Sequence, residues 1–352
     1  MKTAPIPHNR PQITDADQAA VASVLDSGWL AQGPRTLALE ETFSNLMGGG
    51  EACALSSGTA ALFLALKGLD LQPREVVAVP TYACSALLNA IHMAGGTPLP
   101  VDVRGTDFCL DPERLEETAG TARLAIAVHT FGASAPISSL ARGGRQIIED
   151  CCQSLGGPQG HAGAAAVFSF YATKIVTGGQ GGLVWDAKGQ VADAARDYRQ
   201  FDCRPTYRPR FNLQMTDIQA AMILSQLDRL DAIRQRRRET AAFYDAAASE
   251  LWNTGWRRQQ GIDHAGHLPY RYVLVAPDWT QRKALAAAFA KAGISTIVPM
   301  ETHELLHRYL GLPPETCPVA EDLSTRTLSL PLYPALTCEE VKRISAVLES
   351  FK

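Results

Sequence analysis

The sequence lacks the features that mark a secreted or membrane-spanning protein. Its eight cysteines are scattered and include no CxxC pair, a usage typical of reduced thiols in the cytosol rather than of a disulfide framework. The first residues contain no apolar segment of the signal-peptide kind, and no uninterrupted apolar run approaches the ~20 residues that a membrane helix needs. We therefore expect a soluble, cytoplasmic protein without a membrane partner.

The chain also lacks a strong charge of either sign. Its formal net charge is −3 at pH 7, so there is no electrostatic reason to expect nucleic acid as a partner. The one dense basic run lies at 234–238, and such a run is more often the solvated face of a long helix than a binding patch. The expected partners are small molecules.

Length and apolar content are ample for a large core. The chain has 352 residues, of which 46% are hydrophobic, and it exceeds the ~250–300 residues at which a single core usually stops growing. We therefore predict two domains. The large domain covers residues 1–235, and a small C-terminal α+β domain covers residues 236–352.

Short β-rich runs alternate with helical patterns from about Glu75 to Trp185. This alternation predicts an α/β fold with a mostly parallel central sheet flanked by helices. The nearly continuous apolar character of the runs suits strands that are buried on both faces. The predicted strands are Val76–Val79, Pro98–Val103, Leu124–Val128, Gln146–Ile148, Val167–Phe170 and Leu183–Trp185.

Later segments predict a bridge between the domains and then the small domain itself. A long helix is expected to begin at Thr216 or Asp217 and to continue through Leu230 into the arginine run, which would link the two domains. The small domain is predicted to contain a strand at Tyr270–Val275, a helix at Gln281–Ala292 and a final helix opened by a capping box at Thr337–Glu340.

Lys174 and Asp150 together suggest a site for pyridoxal phosphate. This cofactor needs a lysine amine to hold its aldehyde as a Schiff base and a carboxylate to keep its pyridine nitrogen protonated. Asp150 lies at the predicted carboxyl end of a strand, where open α/β sheets bind their ligands. Alone, such a lysine is usually a solvated loop residue and such an aspartate is as often a cap, so the prediction depends on the whole set.

Other polar residues complete that set. Gln153 follows Asp150 closely and could reach the cofactor's ring hydroxyl. Ser169 lies in an apolar strand, where its hydroxyl needs a partner such as a phosphate oxygen. Gly58 and Thr59 stand at the start of a predicted helix, whose free amides favour a phosphate dianion. The alternative, an ordinary helix cap and a serine satisfied within the core, stays open.

The histidines do not predict a metal site. His129, His267 and His303 form no metal-ligand spacing with any cysteine or carboxylate cluster. His129 stands at another predicted strand end and either borders the pocket or is structural. We predict no metal.

Four segments resemble the DegT/StrS family of nucleotide-sugar aminotransferases. They are Ala54–Ala61, Ile148–Asp150 with Gln153, Phe168–Lys174 and Met215–Ala221, and the likeness extends from Ser27–Pro34 to Leu328–Pro334. The resemblance implies a pyridoxal phosphate enzyme of fold type I, acting as a homodimer with active sites at the subunit interface. It also implies transfer of an amino group, usually from L-glutamate, to a keto-sugar that is usually linked to a nucleotide.

The resemblance further implies a role for individual residues. It makes Lys174 the Schiff-base lysine, Asp150 the partner of the pyridinium, Gln153 the contact to the ring hydroxyl, Thr59 and Ser169 phosphate ligands, and Asn212 a residue that reaches the partner subunit's phosphate.

Three positions depart from the family pattern. Cys84 stands where the family usually has an aromatic residue that stacks on the cofactor ring, so either Tyr82 stacks on the ring or the smaller residue leaves room above it. Gln180 stands where many members have glutamate. The segment around Asn212 fits loosely, so Gln214 is an alternative for the contact between subunits.

Three other functions are alternatives to this reading of the sequence. A related group dehydrates deoxysugars, but its members typically have histidine in place of the lysine, so Lys174 argues against that reaction. Amination of a keto-cyclitol in an aminoglycoside-type pathway stays open, as does a non-catalytic sensor with the same fold.

The loop residues Arg204, Arg208 and Arg210 either bind a diphosphate or face solvent.

Overall fold

The computed structural model describes residues 4–261 and 267–351. A seven-stranded sheet has the order β1-β7-β6-β5-β4-β2-β3. Strands β2 to β6 run parallel to one another, whereas β7 is antiparallel to both β6 and β1. The strands are β1 (Glu51–Leu55), β2 (Val76–Pro80), β3 (Thr97–Val101), β4 (Leu124–Val128), β5 (Gln146–Asp150), β6 (Ala165–Ser169) and β7 (Gly182–Asp186). The predicted α/β class with a mostly parallel sheet is confirmed.

Helices cover this sheet and build the C-terminal part of the chain. They are α1 (Asp15–Ser27), α2 (Pro34–Leu46), α3 (Gly58–Gly68), α4 (Ala86–Ala94), α5 (Pro112–Ala119), α6 (Ile137–Leu140), α7 (Gln190–Arg199), α8 (Asp217–Leu227), α9 (Leu230–Ala247), α10 (Ser249–Trp252), α11 (Trp279–Lys291), α12 (Leu306–Tyr309), α13 (Pro318–Arg326) and α14 (Cys338–Ser350). None of those in the described ranges combines the length and apolar character needed to cross a bilayer.

A second, antiparallel sheet lies in the C-terminal part. It consists of β8 (Arg257–Arg258), β9 (Tyr272–Val275) and β10 (Thr327–Leu330), with β9 in the middle. The predicted strand at Tyr270–Val275 is therefore two residues shorter at its start. The predicted capping box before α14 is present, because Thr337 and Glu340 each accept a hydrogen bond from the other's backbone amide.

The predicted single helix from Thr216 into the arginine run is wrong, because two helices cover this stretch. Thr216 does cap α8, but α8 ends at Leu227 and α9 begins at Leu230. At the break, the guanidinium of Arg229 pairs with the buried carboxylate of Asp17 on α1. The chain turns there because a contact with a distant helix overrides the local helical pattern.

The arginine run is not the solvated face that its composition suggests. Arg237 is only 2% exposed, and it donates hydrogen bonds to the carbonyls of Tyr270, at 3.1 Å, and Leu332, at 2.9 Å. Arg236 donates to the carbonyl of Leu336 at 2.8 Å. These guanidinium groups satisfy backbone acceptors that would otherwise be buried without a partner, so the run joins α9 to the C-terminal segments.

Helix α9 belongs to two hydrophobic cores. Leu230 and Ile233, in its first half, pack in the core that contains α2, β6 and α8. Ala241 and Tyr244, in its second half, pack in the core that contains α11, α14 and the small sheet. The domain boundary predicted between residues 235 and 236 falls inside this helix, and the division into 1–235 and 236–352 stays a prediction.

Candidate active site

The carboxyl ends of β5 and β6 bring the predicted site residues to one edge of the sheet. Asp150 is the last residue of β5, Ser169 is the last residue of β6, and Lys174 lies in the loop that follows. Helix α3 begins beside them. The approach is close, since a Cβ atom added to Gly58 would lie only 2.9 Å from the Cβ of Ser169. The glycine at this position therefore allows the helix start to approach the strand end closely.

Asp150 combines burial with spare hydrogen-bonding capacity. It is 5% exposed, and its Oδ1 accepts a hydrogen bond from the backbone amide of Cys152 at 3.0 Å. Its Oδ2 accepts no N–H or O–H hydrogen bond within the described part of the chain. A buried carboxylate retains its charge only where it has partners, so this oxygen suits a cationic N–H group such as a pyridinium.

The amine of Lys174 is close to several acidic groups. Burial by itself lowers the pKa of Lys174, but Tyr270, Cys152 and Cys84, together with Asp150, raise the pKa above its ordinary value. The Nζ atom lies 5.3 Å from the centre of the Tyr270 ring. Lys174 and Asp150, which the sequence predicts to act together, therefore do lie within electrostatic reach of each other.

Gln153 is oriented by the backbone of another strand end. Its Oε1 accepts a hydrogen bond from the amide of Phe131 at 2.9 Å. Because the oxygen faces that amide, the side-chain nitrogen is directed elsewhere and is available as a donor. Phe131 adopts a left-handed conformation with φ of 55°, which is uncommon for a residue other than glycine. This strained turn holds the donor that fixes the glutamine.

The first turn of α3 provides the anion-binding end. Ser57 is the N-cap and accepts a hydrogen bond from the amide of Ala60 at 3.1 Å. Thr59 is half-buried in this turn, and Ser169, also half-buried, stands beside it. The unpaired amides and the positive end of the helix dipole favour a phosphate here. Ser57 is not among the predicted site residues, although serine is a preferred N-cap residue and its position before α3 could have indicated this role.

The structure argues against Tyr82 as the residue that stacks on the cofactor ring. Its side chain is 1% exposed and packs against the rings of Phe108 and Phe131, while its hydroxyl bonds Thr327 Oγ1 at 3.0 Å. A ring that is covered on all sides has no free face to stack on a cofactor, so Tyr82 belongs to the core. Cys84, by contrast, is exposed, which favours the alternative that a small side chain leaves room above the ring.

The residues predicted at the subunit interface lie near the phosphate end. Asn212 is exposed, and Gln214 is half-buried. Between them, the carbonyl of Leu213 accepts a hydrogen bond from the amide of Ser56 at 2.8 Å. This bond fixes the segment beside the start of α3. A contact of Asn212 or Gln214 with a partner subunit stays a prediction, as does any role for Gln180, which is exposed.

The three loop arginines all pair with one carboxylate, that of Asp197. Arg210 is also tied to the carbonyls of Asp197 and Thr206, at 3.1 and 2.9 Å, so it holds the loop together. Arg204 and Arg208 are more exposed, and only these two retain a surface that an anionic ligand could contact.

The histidines have other partners. His129 accepts a hydrogen bond at Nδ1 from the amide of Ala135 and contacts Glu149 through Nε2 at 2.8 Å. Together with Cys151 they form a buried cluster of metal-ligand type, but both ring nitrogens are already engaged and leave none for an ion. His267 bonds Ser134 at 2.9 Å, and His303 is exposed.

The residues at this edge fit pyridoxal phosphate. Among the described residues, Asp150 has an oxygen that accepts no N–H or O–H hydrogen bond and suits the ring nitrogen, and Gln153 has a side-chain nitrogen that donates none and suits the ring hydroxyl. Lys174 has an amine for the aldehyde. The close approach at Gly58 places the start of α3 beside the Ser169 hydroxyl, so that helix amides and a hydroxyl lie together as donors for a phosphate. Each group therefore has the hydrogen-bonding type that one part of the cofactor needs.

Comparison with known proteins agrees with this chemistry. Residues 11–349 match the model of the DegT/DnrJ/EryC1/StrS aminotransferase family. This chain belongs to that family. The predicted family and the predicted class of enzyme, a pyridoxal phosphate-dependent aminotransferase of fold type I, are thereby confirmed. The roles of single residues stay predictions.

Solved structures similar to this DegT family member cover nearly the whole chain. Spr1654 from Streptococcus pneumoniae in its PMP form, described as a sugar aminotransferase, is 25% identical with a TM-score of 0.89, covering 99% of this chain and 97% of that one. The aminotransferase TlmJ from Streptoalloteichus hindustanus is 26% identical with a TM-score of 0.89, covering 99% and 98%. Helicobacter pylori PseC, at 23% identity and a TM-score of 0.89 over 98% of each chain, shows a shared fold.

Proposed function

We propose that this DegT family member transfers an amino group from L-glutamate to a keto-sugar, carried on a nucleotide, in the biosynthesis of an amino sugar. The observation that carries the proposal is the meeting of Lys174, Asp150 and Gln153 with the start of α3 at one edge of the sheet. The description of Spr1654 as a sugar aminotransferase supports a sugar as the acceptor.

Each residue has a distinct task in this proposal. Pyridoxal phosphate supplies an electron sink when it is bound. Asp150 would keep a proton on the ring nitrogen through its Oδ2, and Gln153 would donate a hydrogen bond to the ring hydroxyl. Ser169 and the amides of α3 bind the phosphate and so fix the position of the ring. Cys84 leaves room on the open side for a bulky acceptor.

Lys174 is the group that moves protons. With its amine free, Lys174 would be the residue that takes a proton from the carbon of the amino donor and gives one back, which is the proton transfer that this chemistry requires. Tyr270, Cys152, Cys84 and Asp150 outweigh burial and raise the pKa of Lys174, so these groups favour the protonated amine. A proton must therefore leave Nζ before the lysine can act as a base.

We also propose that two copies form a homodimer in the cytoplasm. Several large apolar side chains are exposed near the candidate site or on the neighbouring N-terminal helices, and burying them against a second copy would stabilise a dimer. They are Trp29, Leu30, Leu37, Tyr171 and Tyr207. All eight cysteines are free, which suits a reducing compartment. Light scattering of the purified protein at several concentrations would measure its oligomeric state.

The visible absorbance spectrum of the protein loaded with pyridoxal phosphate tests the donor half of the reaction. Addition of L-glutamate should remove the band of the lysine-bound cofactor and produce the band of pyridoxamine phosphate. Lys174→Ala is the control and should show neither the initial band nor the change. A lysine-linked cofactor that ignores L-glutamate would contradict the proposed donor.

The acceptor half is tested with the glutamate-treated protein. A nucleotide-linked keto-sugar should restore the original spectrum and yield an aminated product by mass spectrometry, whereas a keto-cyclitol should not. Restoration by the cyclitol alone would replace the proposed substrate with that of an aminoglycoside-type pathway.

A further inference from the structure

Arg271 lies close to Lys174, although it comes from the C-terminal part of the chain. It immediately precedes β9 of the small sheet. Its guanidinium carbon lies 5.5 Å from the centre of the Tyr270 ring, and the Nζ of Lys174 lies 5.3 Å from the centre of the same ring. The two cations are therefore separated by no more than the sum of these distances. The structure places a second cation within reach of the amine of the candidate active site.

Two aromatic rings hold the guanidinium in place. Besides Tyr270, the ring of Phe131 has its centre 5.6 Å from the guanidinium carbon of Arg271. Phe131 is also the residue whose amide orients Gln153. The faces of such rings attract a positive charge, but they are not the oxygen acceptors that the five N–H donors of an arginine need. The rings therefore fix the position of Arg271 without satisfying its donors.

The residues that the structure describes do not supply the missing acceptor. The Nε of Arg271 is buried and donates no hydrogen bond, and the guanidinium forms no ion pair within residues 4–261 and 267–351. Arg237, which also contacts Tyr270, differs because it donates to two backbone carbonyls. A buried donor without an acceptor costs free energy, so an anionic ligand at Arg271 would be stabilising.

The cleft beside Arg271 adjoins the cleft beside Lys174. Asn9 lines both of them. Its side chain donates a hydrogen bond at 3.3 Å to the carbonyl of Thr173, the residue before the lysine. The residues that line the first cleft are His8, Asn9, Tyr270, Arg271, Leu330 and Leu332.

This cleft has a positive charge without a matching negative one. None of its lining residues is an aspartate or a glutamate. Burial and, less strongly, Arg271 lower the pKa of His8 to about 3, so the imidazole is neutral at pH 7. The Nε2 of His8 is engaged with the Ser329 hydroxyl at 3.0 Å. A carboxylate is the ligand that fits, because the planar fork of a guanidinium binds both of its oxygens.

We propose that Arg271 binds a carboxylate of the amino donor and so holds the donor with its amino group near the Nζ of Lys174. The proposal rests on the proposed function, in which an amino acid is the donor. L-Glutamate has one carboxylate next to its reacting carbon and a second at the end of its side chain, and both are compatible with the separation of the two cations. Arg271 is thus a donor-binding residue contributed by the small sheet.

The test uses two compounds that bind as amino donors but cannot react. These are 2-methylglutamate, which has two carboxylates, and 2-methylalanine, which has one. Neither has the proton whose removal begins amino transfer, so a titration followed by the visible absorbance of the protein loaded with pyridoxal phosphate measures binding alone. Arg271→Gln removes the charge, and Arg271→Lys keeps the charge without the planar fork.

Arg257→Gln is the matched control. Like Arg271, Arg257 is a half-buried arginine of the small sheet with a buried nitrogen that donates no hydrogen bond to the described residues. It pairs with Val275, however, at the opposite end of β9. A general effect of removing an arginine from this sheet would therefore appear in both variants, whereas loss of a donor contact would appear only in Arg271→Gln.

We expect Arg271→Gln to bind 2-methylglutamate about 30-fold more weakly or worse, because charge-assisted hydrogen bonds are lost. Arg271→Lys should recover part of the affinity, and Arg257→Gln should match the unmodified protein. A similar loss for 2-methylalanine would assign the carboxylate beside the reacting carbon. A loss confined to 2-methylglutamate would assign the side-chain carboxylate. Unchanged affinity for both compounds in Arg271→Gln, with a normal circular dichroism spectrum, would overturn the proposal.

Failure of the proposed function would give a different result. If the unmodified protein binds 2-methylglutamate but L-glutamate produces no pyridoxamine phosphate, the proposed reaction fails and the titrations still decide the role of Arg271. If L-glutamate reacts at the same low concentrations in Arg271→Gln as in the unmodified protein, only the role of Arg271 is overturned. A loaded protein that binds neither compound and ignores L-glutamate would overturn both.

Discussion

Two adjacent carboxylates at the end of β5 have opposite surroundings. Glu149 is 1% exposed and is bonded by His129 Nε2 and by the amides of Gly160, Ala162 and Gly163, at 2.6 to 2.9 Å. From the residues that the structure describes, the Asp150 carboxylate accepts one N–H hydrogen bond, donated by the amide of Cys152. Because successive residues of a strand point to opposite faces, the two side chains lie on different sides of the sheet.

The difference separates a structural carboxylate from one that is prepared for a ligand. Glu149 has no remaining capacity, and its bonds fix the loop at 160–163 and the histidine at the end of β4. Asp150 is also buried, but its Oδ2 accepts no N–H or O–H hydrogen bond from the described part of the chain. Hydrogen-bond saturation therefore distinguishes the two better than burial does.

The largest expected effect on the reaction rate comes from replacing Lys174, on the side of the sheet that the Asp150 side chain faces. Lys174→Ala should lower the rate of the L-glutamate reaction by about 1,000-fold or more, because both the covalent link and the proton-moving amine are lost. Rapid-mixing absorbance would measure it. The circular dichroism spectrum should be unchanged, and near-normal turnover would contradict the assignment.

Asp150→Asn should have the next largest effect. The amide cannot keep the ring nitrogen protonated, so we expect a loss of about 100-fold or more in the rate constant for amino transfer, with little change in stability. Single-turnover kinetics with L-glutamate would measure it. If Glu149→Gln slowed the chemistry as much as Asp150→Asn, the distinction between the two carboxylates would fail.

Glu149→Gln should act chiefly on stability. The glutamine side chain has an NH2 group where Glu149 has its second oxygen, and this group would face backbone N–H groups that need an acceptor. The variant therefore loses charge-assisted hydrogen bonds in a buried place. We expect the free energy of unfolding to fall by about 3 kcal/mol. Urea denaturation would measure the loss, with Glu117→Gln as the control, because Glu117 is exposed.

These outcomes bear on what the sequence can predict. Strand and helix patterns come from local spacing, so the large sheet and the edge that carries Lys174 and Asp150 were predictable. The break at Arg229 was not, because it depends on Asp17 in another helix. Tyr270 was not either, since it reaches the lysine only through the packing of the C-terminal segments against the sheet.

Tyr82 is the opposite case, a residue that was predicted at the site but lies in the core. A motif placed it near the cofactor, and only the three-dimensional packing shows that its ring is enclosed. Arg237 is a similar case. The arginine-rich run around it predicted exposure to solvent, but its side chain is buried and donates hydrogen bonds to two backbone carbonyls. In both cases the identity of the neighbours, which no local pattern contains, decides the role of the side chain.

The pH dependence of stability sharpens the comparison. Burial raises the pKa of Glu149, but the bonds from His129 and the amides outweigh it and lower the pKa overall. This stabilisation is fully present above the unfolded-state pKa and is lost as the pH falls through the folded-state pKa. We expect the acid limb of a urea-midpoint profile to flatten in Glu149→Gln. An unaltered limb would contradict the saturated network.

The smallest expected effect is that of Tyr82→Phe. The change removes one buried hydrogen bond to Thr327 and should cost about 1 kcal/mol of unfolding free energy. Because the ring does not reach the cofactor, affinity for pyridoxal phosphate, measured by fluorescence titration, should remain unchanged. A marked loss of affinity would return Tyr82 to the site.

Helix α9 has a consequence for how the molecule loses its structure. Its first half belongs to the core under the large sheet and its second half to the core around the small sheet. Helical order propagates along the chain because each turn supports the next. Melting either core would fray the helix that the other core needs, so we expect the two regions to unfold cooperatively, as one thermodynamic unit.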